Sequence, residues 1–192
     1  MTRRASPPPI ELRETSEQDA PAFLDLVLRN REFLAPFEPR RPDEWFTPEA
    51  IRAELERSVR DRRSDWGFAF GIWERESGAL VGRVVLSNVV RGAWQSATLG
   101  YFVGQRFNGR GYATWAVREA LAFAFGQADL HRVQAAVLPR NAPSTRVLEK
   151  NGFRYEGLAR RYLKIDGRWE DHHVYAMTRE EWNSLRSGAT RD

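Results

Sequence analysis

Three strand-like segments at residues 66–74, 80–90 and 96–103 sit so close together that their pairing is almost forced. Turn residues Ser77-Gly78 and Arg91-Gly92 separate them. Links this short cannot carry the crossover of a dozen or more residues that parallel neighbours need, so the three must form antiparallel hairpins. Directly after them comes Gly104-Gln105-Arg106-Phe107-Asn108-Gly109-Arg110-Gly111-Tyr112, where a strand runs through a glycine loop into a helix.

The remaining elements fall around this core. Residues 10–14 alternate like a half-buried strand, and Ser16 caps an amphipathic helix over 17–30 that carries Phe23, Leu24, Val27 and Leu28 on one face. A proline- and aromatic-rich loop occupies 33–39, and Thr47-Pro48 opens a helix reaching about residue 63. Beyond the glycine loop the pattern predicts a helix over 112–127, a strand over 132–137 and a short helix over 143–151. Strands at 153–165 and 168–177 close on Asp166-Gly167, a strong two-residue turn signal. The expected class is α/β (α+β), a mixed, mostly antiparallel sheet of about seven strands with helices on both faces. Residues 10–186 are expected to form one domain between disordered tails at 1–9 and 187–192.

Composition narrows the class of function only a little. At 192 residues and 42% hydrophobic content the chain can bury one sizeable core. It has no apolar run near the ~20 residues of a membrane span, and no apolar stretch follows Arg3 and Arg4 as in a secretory signal. The absence of cysteine excludes a disulfide framework, a thiolate nucleophile and a Cys-based zinc site. A soluble, cytoplasmic protein without a membrane partner is expected. The net charge of +4 fits nucleic acid, a polyphosphate cofactor, an acidic protein surface or a merely solvated arginine-rich face.

The glycine loop is more informative. Gly109 and Gly111 permit backbone angles that turn several N–H groups inward, and the helix start adds partial positive charge, which together suit a pyrophosphate. Arg106 and Arg110 can add charge-assisted contacts. A P-loop would need Gly-Lys-Ser/Thr, and this segment has no lysine. A dinucleotide fingerprint would need a third glycine where Thr114 stands, within a parallel unit that the preceding hairpins deny.

About thirty residues further on comes Asn141-Ala142-Pro143-Ser144-Thr145-Arg146-Val147-Leu148-Glu149-Lys150-Asn151-Gly152-Phe153. With this segment the sequence resembles the GNAT superfamily of acetyl-CoA-dependent N-acetyltransferases. Arg106-x-x-Gly109-x-Gly111 is similar to that family's coenzyme A loop, and the element order agrees along nearly the whole chain. Phe33–Pro39, Ser87–Gly92 and Ile165–His172 further resemble the RimJ/RimL branch, which acetylates N-terminal amines of ribosomal proteins.

The resemblance implies a sheet splayed in the middle to hold coenzyme A, with pantetheine against the backbone of Tyr101, Phe102 and Val103. A main-chain N–H near Phe102 or Val103 would stabilise the oxyanion. It implies phosphate contacts from Arg106, Asn108, Gly109, Arg110 and Gly111, continuing into Tyr112, Ala113 and Thr114. Asn141 matches the family asparagine near the reactive end of the cofactor, a role compatible with capping the short helix. Many relatives place a tyrosine acid where Leu148 stands here. Ser144, one turn earlier, is the remaining hydroxyl, either as acid for the departing thiolate or as a cofactor contact only.

The base is not singled out. Glu38, Tyr162 and Asp171 are the chief candidates to face the acceptor, with His172 and Glu156 behind them; each also reads as an ordinary loop or strand residue. An α-amine with a pKa near 7.7–8.0 is roughly 10–20% free base at pH 7, against about 0.04% for lysine, so a strong base is dispensable for an N-terminus. His131 reads as structural. His172 and His173 point to opposite strand faces and imply no metal site. The expected reaction is acetylation of a protein N-terminus beginning with Ala or Ser, such as that of a ribosomal protein, with ribosome association as a further expectation. A small-molecule amine acetyltransferase and a weakly active RNA-associated module are the alternatives.

Overall fold

Short links decide the first half of the sheet, as expected. The structure, a computed structural model, describes residues 8–188. It contains β1 (Ile10–Glu14), β2 (Phe68–Glu74), β3 (Leu80–Val90), β4 (Ser96–Val103), β5 (Arg132–Val137), β6 (Arg154–Ile165) and β7 (Arg168–Thr178). These form one seven-stranded sheet in the order β1-β2-β3-β4-β5-β7-β6. Every neighbouring pair is antiparallel except β4 and β5.

Six helices flank it: α1 (Ala20–Arg29), α2 (Arg31–Leu34), α3 (Pro48–Arg63), α4 (Tyr112–Phe125), α5 (Ala142–Lys150) and α6 (Arg179–Ser187). Strand alternation sorts the side chains between two layers. Phe68, Phe70 and Ile72 of β2 pack with Ala116, Val117 and Leu121 of α4. Trp73 turns to the other face and joins Phe23 of α1 with Ile51 and Leu55 of α3. Ile51 and Leu55 are fully buried; each such side chain contributes about 1.5–3 kcal/mol.

The β4–β5 pair shapes the site. Because α4 lies between them in sequence, they are parallel, and they pair only through Ser96↔Arg132, Ala97↔Val133 and Thr98↔Gln134. Beyond Thr98 the ladder stops and the two strands part. Leu99–Val103 and Ala135–Val137 are the arms of an open wedge.

Three features depart from expectation. The helix expected over 17–30 is a 3₁₀ turn at Glu17–Asp19 followed by α1, which ends at Arg29. The buried Asn30 interrupts it, donating from Nδ2 to Leu26 O at 2.7 Å while Oδ1 accepts from the Gln105 N–H at 2.7 Å. The loop expected from residue 33 begins instead with α2, and a further 3₁₀ turn occupies Asp43–Phe46. Helix α6 was not anticipated; a reciprocal cap between Thr178 and Glu181 starts it and Gly188 follows its end. Of the segments expected as tails, 1–7 and 189–192 lie outside the described residues.

Candidate active site

Strand register decides which backbone groups the wedge exposes. The Gly104 N–H donates to Val81 O at 2.8 Å, so Val103↔Gly82 is a non-hydrogen-bonded pair and Phe102↔Arg83 a hydrogen-bonded one. The main-chain groups of Phe102 therefore point into β3. Those of Tyr101 and Val103 point out, into the wedge. Of the two amides considered for the oxyanion, Val103's is the one presented there, and backbone amides held by a sheet need no reorganisation to meet developing charge.

The glycine loop closes one end of this wedge. Gly109 and Gly111 have φ of 78° and 79°, and Gly111 is the N-cap of α4. Tyr112, Ala113 and Thr114 form the first turn, whose amides lack intrahelical acceptors. A Cβ built on either glycine meets nothing within 4 Å, so the protein's own packing leaves this space open. The cradle fits a pyrophosphate. Arg106, Asn108 and Arg110 are exposed on its rim. Arg110 Nη1 also lies 3.7 Å from Glu74 Oε1, which accepts the Tyr112 hydroxyl at 2.9 Å. Hydrogen bonds from Ser77 and Tyr112 hold the Glu74 carboxyl below its ordinary range.

At the other end of the wedge stands Ser144. Asn141 caps α5, its Oδ1 accepting from the Ser144 N–H at 3.2 Å. The Tyr101 hydroxyl reaches across from β4 to lie 2.9 Å from Ser144 Oγ and 3.1 Å from Ser144 O. Burial pushes the Tyr101 phenol up to about 12, so it stays protonated and able to donate. This hydroxyl pair was not anticipated, since only the backbone of Tyr101 was assigned a role. Leu148 is fully buried in the core and cannot substitute for Ser144.

Residues 30–38 roof the mouth of the wedge on the α1–α3 side. One end is tied to the residues after β4 by Asn30 and Gln105, the other to the residues after β5 by Arg140 Nη2 donating to Pro36 O at 3.0 Å. Arg140 also pairs with Glu170 of β7 at 3.3 Å. The Asp166 N–H donates to Glu38 O at 3.2 Å, fastening the β6–β7 turn to the same segment. Leu34 is buried, and Phe33, Phe37 and Glu38 are half-buried. Burial raises the Glu38 carboxyl, partly opposed by Arg41 and Arg83.

The structure does not bring all acceptor-side candidates together. Tyr162 packs on buried His172 with ring centroids 5.8 Å apart, and His172 Nδ1 lies 3.0 Å from Glu170 O, placing both rings on the Glu170 face of the hairpin. Asp171 points to the opposite face, where Oδ1 accepts from the Arg161 N–H at 2.8 Å and secures a bulge. Glu156 is occupied by Arg132 and Arg154. His131 pairs with Glu180 at 3.1 Å on the surface, a partner not visible in the sequence. Among the described residues no cluster of three or more His, Asp or Glu could hold a metal, and no helix is long and apolar enough to cross a membrane.

A sheet that parts to expose main-chain amides, beside a phosphate cradle at a helix start, defines an acyl-coenzyme A-dependent transferase. The chain belongs to the GNAT acetyltransferase family: the family model described as acetyltransferase (GNAT) domain matches residues 10–154. It is 41% identical over 168 residues to the probable N-acetyltransferase YjcK of Bacillus subtilis, covering 88% of this chain and 93% of that protein. It is 33% identical over 175 residues to the [ribosomal protein uS5]-alanine N-acetyltransferase of Escherichia coli, covering 91% and 90%. Mycobacterium smegmatis RimJ, solved in complex with CoA-disulfide, superposes with a TM-score of 0.86 at 33% identity, covering 93% and 89%. This chain is thus an N-acetyltransferase with acetyl-CoA as co-substrate.

Proposed function

We propose that the chain acetylates the α-amine of a protein N-terminus that begins with a small residue, Ala or Ser, such as that of a ribosomal protein. The observation that carries the reading is the roof over residues 30–38. Formed by residues 30–38, it joins both arms of the wedge to the β6–β7 turn; a protein N-terminus entering beside it would bind as an extended chain, and similarity to the uS5-alanine acetyltransferase supports the reading.

Transfer proceeds in a ternary complex. The amine lone pair attacks the thioester carbonyl carbon, and the Val103 N–H takes the negative charge that develops on oxygen. As the new C–N bond holds and the C–S bond breaks, Ser144 Oγ–H protonates the departing sulfur while the Tyr101 hydroxyl, itself kept protonated, steadies the Ser144 oxygen by hydrogen bonding, and solvent returns a proton to Ser144 before the next turnover. The ammonium proton leaves to water. Glu38 orients the incoming amine, and Tyr162 borders the entry. Asp171 serves the acceptor side indirectly by shaping the hairpin. Residues 10–186 act as one domain in this reading.

A panel of N-terminal peptides, free amino acids, polyamines and lysine-containing peptides with labelled acetyl-CoA tests it. Ala- and Ser-initiated peptides should give the highest kcat/KM. A polyamine or free amino acid at the head of the panel would favour the small-molecule reading.

A further inference from the structure

Exposed arginines without an ion pair recur over the described surface, and a group of such cations borders the entry between the 38–41 segment and the β6–β7 hairpin. Among the described residues, the side chains of Arg40, Arg160, Arg161, Lys164 and Arg168 form no ion pair, and all five are exposed. Arg41 lies with its guanidinium 4.0 Å from the Trp45 ring centroid, and its buried Nε has no partner. Carboxylates are present but mostly committed: Glu170 to Arg140, Asp171 to the Arg161 amide, Glu38 half-buried. Among the described residues Asp166, in the turn itself, and Glu44, beside Trp45, are exposed carboxylates without such a tie.

Placement makes this charge functional. Across the hairpin Lys164 pairs with Trp169 and Ile165 with Arg168, so Lys164 and Arg168 leave opposite faces of the hairpin tip. The Asp166 N–H to Glu38 O bond puts that tip against the loop that carries Arg40 and Arg41 two and three residues on. A cavity of about 170 Å³ lies in this seam, lined by Leu34, Glu38, Arg40, Arg41, Trp45 and Asp166 among others. The tip thus offers a cation on each face, so a chain that leaves this seam along either face of the hairpin passes one of them, with Arg40 on the loop side.

We infer that this rim selects acceptor chains that carry acidic residues beyond the first few positions, an inference that rests on the N-terminal reading above. Exposed charges act here through steering and weak pairing, both screened by salt. Two or three such contacts together lower KM about five- to tenfold at low ionic strength.

The test uses two Ala-initiated peptides with the same first four residues, one continuing with Glu and Asp, the other with Lys. For the full chain the acidic peptide should have a KM about fivefold lower or better, converging with the other near ~0.5 M salt. Lys164→Glu with Arg168→Glu, or Arg40→Glu on the loop side, should erase or reverse the preference and leave KM for acetyl-CoA unchanged. Equal KM values for the two peptides, or a preference that survives both variants, overturns the inference while the N-terminal reading stands. So does a structured RNA that binds the wild type but not the variants when the peptides are not discriminated. Acetylation of neither α-amine removes the N-terminal reading and the inference with it.

Discussion

The Tyr101 hydroxyl and Ser144 Oγ stand 2.9 Å apart, joining the strand that presents the Val103 amide to the helix on the other arm of the wedge. The two hydroxyls lie within hydrogen-bond distance, and Tyr101 also donates to Ser144 O at 3.1 Å. Ser144→Ala should lower kcat about tenfold, at or below the lower range for acid–base groups. Tyr101→Phe should cost a similar factor. Because the pair acts as a unit, the double variant should be little worse than either single. If Ser144→Ala alters only KM for acetyl-CoA, the serine binds cofactor and the acid role fails.

The same phenol gives a pH signature. Its folded pKa of about 12 lies above the ordinary value of 10.0, so the fold favours the protonated form. The resulting stability is fully present below pH 10 and is lost as pH rises toward 12. Alkaline denaturation followed by circular dichroism should therefore lose part of its slope in that window for Tyr101→Phe.

Cofactor affinity should depend on bare backbone at the phosphate loop. Gly111→Val places a β-branched side chain at φ 79°, at a cost of about 1–3 kcal/mol in strain, and fills space that is open in the protein itself. Calorimetry should show coenzyme A binding weakened by about tenfold or more, with Gly109→Ala as a milder companion. Unchanged affinity in a folded variant would sink the assignment of this loop.

Glu38 should trade stability for acceptor binding. Burial raises its carboxyl above the ordinary range, so ionisation costs the folded state and that cost is present once pH exceeds its folded pKa. Glu38→Gln should raise Tm at pH 7 and yet raise KM for peptide more than KM for acetyl-CoA. A variant silent in both kinetics and Tm would reduce the loop to a cap on the core.

Beneath the roof, Arg83 is buried, with Nη1 3.2 Å from Glu54 Oε1 and Nη2 2.8 Å from Ser58 Oγ. Removing one member leaves an uncompensated charge, so Glu54→Ala should destabilise the chain by about 3–5 kcal/mol in urea denaturation. Replacing both members with apolar residues should recover much of that loss.

What the sequence disclosed follows the range of the interactions concerned. Short links set the antiparallel hairpins, and Asp166-Gly167 set the final turn, because both are local. The glycine loop was legible for the same reason, since a positive φ at Gly109 and Gly111 is written in the residue type. The helix expected over 17–30 overruns the end of α1 by one residue because Asn30 is tied to Gln105, 75 positions away, and its start at 17–19 is a 3₁₀ turn closed by Ser16 and Asp19. The Tyr101–Ser144 contact and the split between Tyr162 and Asp171 depend on register and a bulge, which composition does not carry. Helix α6 does carry a local signal, since Thr178-x-x-Glu181 is a capping box.

Acetylation of an N-terminal α-amine is the reaction proposed for this acetyltransferase. It is tested most directly by rates on an Ala-initiated peptide and on its N-terminally blocked twin containing one internal lysine, at saturating acetyl-CoA. Acetylation of the first should be rapid and the rate on the second at least about a hundredfold lower, since lysine at neutral pH offers far less free base. Equal rates on the two would contradict it, leaving the acetyltransferase in place and its acceptor reassigned.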